Sequence, residues 1–543
     1  MTLRSLLYDR HGHPKLVGPG LVALVLAFGI AWLALGLVHR GQSEDERAHE
    51  LIEQGDYPAA EAIYAERVKR EPTVPHVVEL ITVHQILAPP KRSHHETDGG
   101  LESMFPDAMP SWGGMMPEAE LAALIAGLPP DIARVARYLR HDPEAETEIT
   151  LGADMEPPLP WANHMLALRA SFAGGERDEL EAARRYFKEG VTFDRSEDVD
   201  RAIALYMEAG AWDAVREKTD DPRVMRALTP LHRYEVAVHG GDVRGAFGSF
   251  LPMWFGRFHG DALWLSAVAA LAWGFFCARL GRVRDRPYFR LPIYFVAFGL
   301  GVLSVLPTIA LVTIEDAKLG LVESGDLVRD AIVYVFGVGL REEASKLLLF
   351  VPLYPILRRY GDKLDVLACG ALVGLGFAAE ENVGYLAGDM AGGVPRFLTA
   401  NFFHMALTGT LASAFDDFMR DPDGDASRDR GEFMKTSLLI VVMHGAYDLL
   451  IVHPEVGGGF ASMLVFVILT KKFVDAIDVA RRKAERGLTP VHAFIVALAV
   501  VTGASGAYSV RSLGVFVGAL QMAGGLVGEV IMIVVFVRLF SFL

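Results

Sequence analysis

Long apolar runs, separated by short polar stretches, fill the chain from about residue 260 to residue 543. A run of about 20 apolar residues can cross a bilayer as one helix. One such run, 17–38, lies near the start, and further runs follow a long polar segment. These later spans are predicted at 261–278, 291–314, 328–350, 365–388, 397–415, 436–453, 457–470, 488–508 and 513–537. The pattern predicts an all-α fold, a polytopic membrane helix bundle of about ten spans.

Basic residues divide the loops between these spans into two alternating sets. The loop 279–290 holds five arginines, whereas the next loop holds Lys318 alone, and the alternation continues to the last span. Because Lys and Arg collect in cytoplasmic loops, both termini are predicted to be cytoplasmic. Four segments follow: a cytoplasmic N-terminus at 1–16, a transmembrane anchor at 17–38, an extracytoplasmic helical domain at 40–255 and a membrane domain at 261–540.

The first apolar run has a second interpretation, because basic residues precede it as they do in a signal peptide. Its length and the lack of a small-x-small cleavage site favour a retained anchor.

The polar segment has the pattern of helical hairpins. One hairpin fits tetratricopeptide-type spacing, in which small residues let two helices pack closely. Its positions are Ala48, Leu51, Gly55, Ala60, Tyr64 and Pro72. A second, weaker pair covers about 161–218, with Ala202, Leu205 and Tyr206 on its buried face. A tetratricopeptide-like domain and a generic helical domain both remain open, since one good repeat is not an array.

Composition and charge narrow the function. The net charge is −15, and residues 41–255 hold 39 acidic and 22 basic side chains. This excess argues against binding nucleic acid or an anionic lipid surface through the polar segment. The only cysteines, Cys277 and Cys369, lie in apolar runs, so no disulfide framework is expected. The pair His94 and His95 could bind a metal, although a flexible loop is favoured.

Ionisable residues recur inside four successive spans. A charge at the centre of a span costs roughly 2.5–3.5 kcal/mol on the insertion scale, so such residues normally face a partner or a cavity. Glu342 and Lys346 are four apart, as are His444 and Asp448, so each pair shares one helix face. The ionisable residues of this set are Glu342, Glu343, Lys346, Glu380, Glu381, His404, His444 and Asp448, and the neutral Asn382 follows Glu381. Glu529 is isolated in the last span.

These residue types suit hydrolysis of a peptide bond. A glutamate in a poorly hydrated cavity can take a proton from water, and histidine or asparagine can donate to the developing oxyanion. No metal or other cofactor is required by this scheme. The chain lacks His-Glu-x-x-His, a convincing serine and histidine pair, and Gly-x-Gly-Asp in a span.

Four motifs in order resemble the PrsW family of intramembrane proteases, distant relatives of the CAAX-processing and bacteriocin-protection (CPBP) membrane proteases. The motifs are Glu342-Glu343-x-x-Lys346, Phe377-x-x-x-Glu381-Asn382, His404 and His444-x-x-x-Asp448. The resemblance covers about residues 290–470. It implies a glutamic-type peptidase in a bacterial cytoplasmic (inner) membrane, acting on a membrane-anchored protein such as an anti-sigma factor.

The resemblance also implies roles for single residues. Glu342 and Glu343 would be catalytic, with one of them activating water that Glu381 helps to position. By analogy with the CPBP relatives, His404 and His444 would hold water or the oxyanion, and Asp448 would orient a histidine. Those relatives have histidine where this chain has Glu381. Lys346, Asn382 and Phe377 would support the site.

Structural roles for single residues and two rival functions remain open beside this interpretation. Glu342 with Lys346 could be a structural ion pair, and Glu380 an outward-turned neighbour of Glu381. Glu529 fits a structural role better than a catalytic one. A proton-coupled transporter and a catalytically silent scaffold are the rival functions. The acidic domain is expected to recruit a protein partner or to gate access.

Overall fold

The computed structural model describes most of the chain. The described residues are 16–38, 43–53, 57–87, 116–173, 176–256, 258, 260–319, 323–388, 393–420, 426–456, 458–480 and 489–543. Within these ranges every regular element is helical, which confirms the all-α prediction. Gly55 and the pair His94 and His95 lie outside the described residues, as does nearly all of the predicted N-terminal segment.

The chain divides into two compact units. One is Leu37–Gly240 with Ser512–Gly514, and the other is Met1–Gly36, Gly241–Arg511 and Val515–Leu543. The first unit is called the outer unit below, after its predicted location, and the second is called the membrane unit. The outer unit ends at Gly240, before the predicted boundary at 255, because the next helix packs within the membrane unit.

The outer unit is a series of short helices. They are α2 Glu44–Glu53, α3 Tyr57–Arg70, α4 Val74–Leu87, α5 Glu118–Ala126, α6 Pro130–Leu139, α7 Pro143–Ala153, α8 Ala162–Ala173, α9 Glu176–Phe193, α10 Ser196–Glu208, α11 Trp212–Thr219, α12 Pro222–Ala227 and α13 Pro230–His239. The helix before them in the chain, α1 Val17–Val38, lies almost entirely in the membrane unit. Ala48, Ala60 and Tyr64 are buried, as the predicted hairpin requires. Ala202 and Tyr206 are buried in the second predicted pair, while Leu205 is half-buried. The tetratricopeptide-like assignment stays a prediction.

The membrane unit contains the long apolar helices. After α1, its helices, long and short, are α14 Val243–Gly256, α15 Gly260–Leu280, α16 Pro287–Leu303, α17 Val305–Leu319, α18 Leu327–Ile332, α19 Leu340–Phe350, α20 Tyr354–Tyr360, α21 Lys363–Gly388, α22 Gly393–Arg396, α23 Phe402–Arg420, α24 Ala426–Val452, α25 Gly458–Ala480, α26 Pro490–Gly528 and α27 Val530–Ser541. By length and composition, six helices among the described residues could cross a membrane. The chain is therefore a multi-pass membrane protein, while the prediction of ten spans is not confirmed.

The difference in span number has identifiable causes. The predicted spans 488–508 and 513–537 share α26, which breaks at Gly514, where φ is +79°. The predicted spans 328–350 and 397–415 each contain a π-helical segment. Within the described residues, each predicted span nevertheless lies largely on helix, so the apolar runs located the helices.

Two π-helical segments lie directly before the predicted site residues. Val333–Gly339 joins α18 to α19, and Phe397–Asn401 joins α22 to α23. A π-helical segment widens the helix locally and is frequent at functional sites. These segments set the orientation of the helices that carry Glu342, Glu343 and His404.

Glycines bring the site helices into backbone contact. A Cβ atom at Gly445 of α24 would lie 2.5 Å from the carbonyl oxygen of Tyr334, and one at Gly339 would lie 2.5 Å from that of Val441. Gly374 of α21 similarly lies against the carbonyl of His404. Small residues allow such close approach between membrane helices.

An ion-pair cluster joins the far ends of the same helices. His453, just after α24, has Nε2 2.9 Å from Asp330 of α18 and Nδ1 2.6 Å from Glu455. The Asp330 carboxylate also accepts hydrogen bonds from the backbone of Ser324 and Gly325. The helices that carry Glu343 and His444 are thus held at the ends and by glycine contact along their length.

Gly445→Ala should therefore separate these helices, because its methyl group would meet backbone atoms that have little freedom to move. Overpacking of this kind costs about 1–3 kcal/mol. We expect a clear fall in the thermal unfolding midpoint of the purified protein in detergent. The matched control is Gly431→Ala in the same helix, where nothing lies within 4 Å of the added atom. Equal midpoints for the two variants would contradict this account.

Candidate active site

The predicted site residues converge on one buried cluster in the membrane unit. Glu342, Glu343 and Lys346 come from α19, Glu381 from α21, His404 from α23, and His444 with Asp448 from α24. The ring centroids of His404 and His444 are 5.2 Å apart. Four helices therefore contribute to one polar centre within an apolar bundle.

The Lys346 ammonium lies at the middle of this cluster and is fully buried. Its Nζ atom lies 2.8 Å from Glu343 Oε1, 3.2 Å from Glu342 Oε2 and 2.9 Å from His404 Nδ1. An ammonium has three N–H donors and no acceptor, so these contacts use all of them. The ring of Phe377 covers the group, 3.9 Å from Nζ to the centroid, which adds a cation–π contact.

Glu343 is the most enclosed carboxylate, with its side chain 1% exposed. Its Oε1 lies 3.0 Å from His444 Nδ1 in addition to the Lys346 contact, and its Oε2 accepts a hydrogen bond from the Thr408 hydroxyl at 3.1 Å. Both oxygens therefore have partners on other helices. Glu343 therefore links α19 to α23 and α24, and we call this linking its anchor role.

Glu342, Asp448 and His444 form the more open side of the cluster. Nε2 of His444 lies 3.5 Å from Glu342 Oε2 and 3.4 Å from Asp448 Oδ2. The side chains of Glu342 and Asp448 are 12% and 28% exposed, respectively, while that of His444 is 2% exposed. Two accessible carboxylates thus flank one imidazole nitrogen.

Glu381 and His404 form the opposite side. His404 Nε2 lies 2.9 Å from Glu381 Oε2. Because Nδ1 of His404 accepts from Lys346, its proton must be on Nε2, which donates to Glu381. The guanidinium of Arg396 lies 3.8 Å from the same carboxylate oxygen and stacks on Tyr385.

The supporting residues occupy distinct positions. Asn382 is buried, and its side-chain amide is bonded to Asn401 and Arg396 at 2.5 Å each. Its amide oxygen accepts from Arg396 Nε and so orients the Arg396 side chain. Glu380 is not turned outward, because it is buried and accepts a hydrogen bond from Trp254 of α14 at 2.6 Å.

Thr408 and Arg396 were missed by the sequence analysis. Thr408 lies one helical turn after His404, so the i, i+4 rule that paired His444 with Asp448 could have found it. Arg396 lies in the short helix α22, between two predicted spans. Its place immediately before a π-helical segment becomes visible only in the fold.

Three of these residues have the donor set of a zinc site. The ligand atoms of Glu342, His404 and His444 all lie within 4.8 Å of one another, and two histidines with one glutamate are a common zinc set. However, the Lys346 ammonium already contacts the side chains of Glu342 and His404. A metal ion bound by the same residues would be repelled by this buried positive charge. With Lys346 in place, the residues do not fit a metal ion.

Comparison with known proteins identifies the membrane region. Residues 290–471 match the family model described as PrsW family intramembrane metalloprotease. The match covers about a third of the chain and includes the whole cluster. No curated protein and no solved structure matches the chain.

The long apolar helices, the buried polar cluster and this match define a membrane protein of the intramembrane protease class. Its membrane region matches the PrsW family model over residues 290–471, which confirms the resemblance found in the motifs. Such a protease acts on membrane-anchored substrates within the bilayer.

The Thr408 hydroxyl offers a test of the anchor role of Glu343. Thr408→Val keeps the shape but removes the donor to a buried carboxylate, which costs about 1–3 kcal/mol. We expect a lower unfolding midpoint in detergent for Thr408→Val, whereas Thr408→Ser should remain close to the wild type. Indistinguishable valine and serine variants would show that this hydrogen bond is not needed.

Proposed function

We propose that the chain is an endopeptidase that hydrolyses membrane-anchored proteins with water activated by a glutamate, and that Glu342 is the base. This proposal rests on the different exposure and hydrogen bonding of the two adjacent glutamates. Glu343 has both oxygens engaged and is nearly inaccessible, whereas Glu342 faces the open side beside His444 and Asp448. Only a carboxylate that water can reach is able to accept its proton.

The reaction balances with these groups. Water held between Glu342 and Asp448 attacks the carbonyl carbon of the peptide bond, and its proton passes to Glu342. The tetrahedral intermediate then collapses, the C–N bond breaks, and Glu342 returns the proton to the leaving amine. The products are a new carboxylic acid and a new amine, which become carboxylate and ammonium by proton exchange, with no other reactant.

Donors for the oxyanion come from the opposite side of the cluster. We propose that the His404 Nε2–H and the Arg396 guanidinium, which both contact Glu381 here, turn to the oxyanion when substrate binds. Hydrogen-bond donors aimed at an oxyanion in a poorly hydrated site can lower a barrier by several kcal/mol. Glu381 would then hold these donors in position in the resting site.

Substrate identity and location rest on the family resemblance and the loop charges. We propose a bacterial cytoplasmic (inner) membrane, with both termini cytoplasmic and residues 40–255 extracytoplasmic. A membrane-anchored anti-sigma factor is the proposed substrate.

The outer unit is proposed to recruit a protein partner. Its surface has a groove of about 550 Å³, lined by residues of four helices and of the turn between α6 and α7. The lining includes Tyr138, His141, Glu146 and Arg169. The aromatic, cationic and anionic side chains of this groove suit a peptide segment with polar and apolar positions.

Single substitutions separate the catalytic proposal from its rivals. Glu342→Gln should abolish cleavage, because loss of a general base typically costs 10²–10⁴-fold. Glu381→Gln should slow it strongly. The readout is a proteomic comparison of membrane-protein fragments from cells that make the wild type or a variant. A transporter or silent scaffold would give no fragments that depend on Glu342.

The matched control for Glu381 is its neighbour. Glu380→Gln keeps an oxygen that can accept from Trp254, so cleavage should continue. If Glu342→Gln cleaves at the wild-type rate, Glu342 is not the base. If Glu380→Gln and Glu381→Gln lose activity equally, the effect of Glu381→Gln is structural.

A deletion tests the recruitment role. Replacing residues 43–240 with a short flexible linker should stop cleavage of the natural substrate but leave the membrane unit folded. Extending the deletion to 256 should also destabilise that unit, because it removes Trp254. Fragment proteomics and the unfolding midpoint provide the two measurements. Unchanged natural fragments after the shorter deletion would refute recruitment.

A further inference from the structure

The family description implies a metal, yet the cluster is organised around an ammonium. Lys346 uses its three N–H donors on Glu342, Glu343 and His404, and it lies against the face of Phe377. These contacts surround the cation on every side. An ammonium whose three donors are all engaged is an integral part of the site.

We propose that Lys346 is the resident cation of this site, and that it keeps metal ions out by occupying the position that a metal would take. The carboxylate of Glu342 and the Nδ1 atom of His404 belong to two of the three residues that could bind a metal, and both contact Nζ. The inference rests on the proposed function for its catalytic meaning, but its test needs no substrate.

Lys346 is a positioning residue in this scheme. It neutralises part of the negative charge of Glu342 and Glu343, which would repel each other in a dry cavity. It also fixes the tautomer of His404, because an ammonium can only donate and Nδ1 must then accept. The proton left on Nε2 is the one that faces Glu381.

Removing the ammonium should convert the cluster into a metal site. Lys346→Ala would leave two glutamates and two histidines buried without their cation, and uncompensated buried charge is strongly unfavourable. A divalent ion would satisfy the same oxygens and nitrogens, and histidine and carboxylate ligands suit zinc and cobalt.

The experiment measures binding of Co²⁺ to the purified full-length protein in detergent. We expect Lys346→Ala to take up about one equivalent with the visible bands of a tetrahedral site, and wild type and Lys346→Arg to take up none. The double variant Lys346→Ala/His444→Ala should lose the ion again. A Lys346→Ala variant that folds but binds no cobalt would overturn the proposal.

A wild-type measurement keeps the proposal testable if Lys346→Ala does not fold. Elemental analysis of wild-type protein, after incubation with Zn²⁺ and removal of free ion, should find no bound zinc. One equivalent of zinc that His444→Ala removes would overturn the proposal.

Failure of the proposed function would look different. If the wild type produced no fragments that Glu342→Gln lacks, the peptidase proposal would be rejected. The metal-binding measurements would be unaffected by that result. Conversely, a wild type that binds zinc and cleaves would keep the peptidase and reject the role of Lys346.

The tautomer of His404 gives a second readout. In wild type, the ¹⁵N shifts of His404 should be those of the Nε2–H tautomer. Lys346→Arg should preserve this tautomer, since it still donates to Nδ1. A wild-type His404 with its proton on Nδ1 would contradict the hydrogen-bond assignment on which the inference depends.

Discussion

The Lys346 ammonium is the contact through which the polar interior of the membrane unit is held together. It neutralises Glu342 and Glu343 on its own helix and reaches His404 on a second helix. Glu343 continues the chain of contacts to Thr408 and to His444 on a third. Buried charges left without partners would oppose assembly of these helices. The glycine contacts at Gly339 and Gly445 permit the close approach, but the ionic cluster gives it a unique register.

Several features of this arrangement could be predicted from the sequence, and others could not. The i, i+4 spacing predicted the contacts of Glu342 with Lys346 and of His444 with Asp448, because those pairs depend only on helix geometry. The different roles of Glu342 and Glu343 could not be predicted, since they depend on which neighbour Thr408 and His444 reach from other helices. Hydrophobic runs located the helices, whereas the π-helical segments and the break at Gly514 leave no periodic signal.

The link between Trp254 and Glu380 changes the view of where the membrane unit begins. The sequence analysis placed residues up to 255 with the acidic domain, because the later long apolar runs begin only at about residue 260. The Trp254 side chain of α14 is buried, and the indole donates to a carboxylate on the same helix that carries Glu381. Helix α14 is therefore part of the scaffold of the site, and the connection to the outer unit precedes it.

The π-helical segment at Val333–Gly339 has an evolutionary consequence. Each residue of an α-helix turns the chain by about 100°, so losing one residue from this segment would rotate everything that follows by about that angle. Glu342, Glu343 and Lys346 would then face lipid or neighbouring apolar helices. Single-residue deletions here would be eliminated by selection even though the segment is apolar and makes no contact with substrate in the proposed reaction. We therefore expect the number of residues in this segment to be preserved more strictly than their identity.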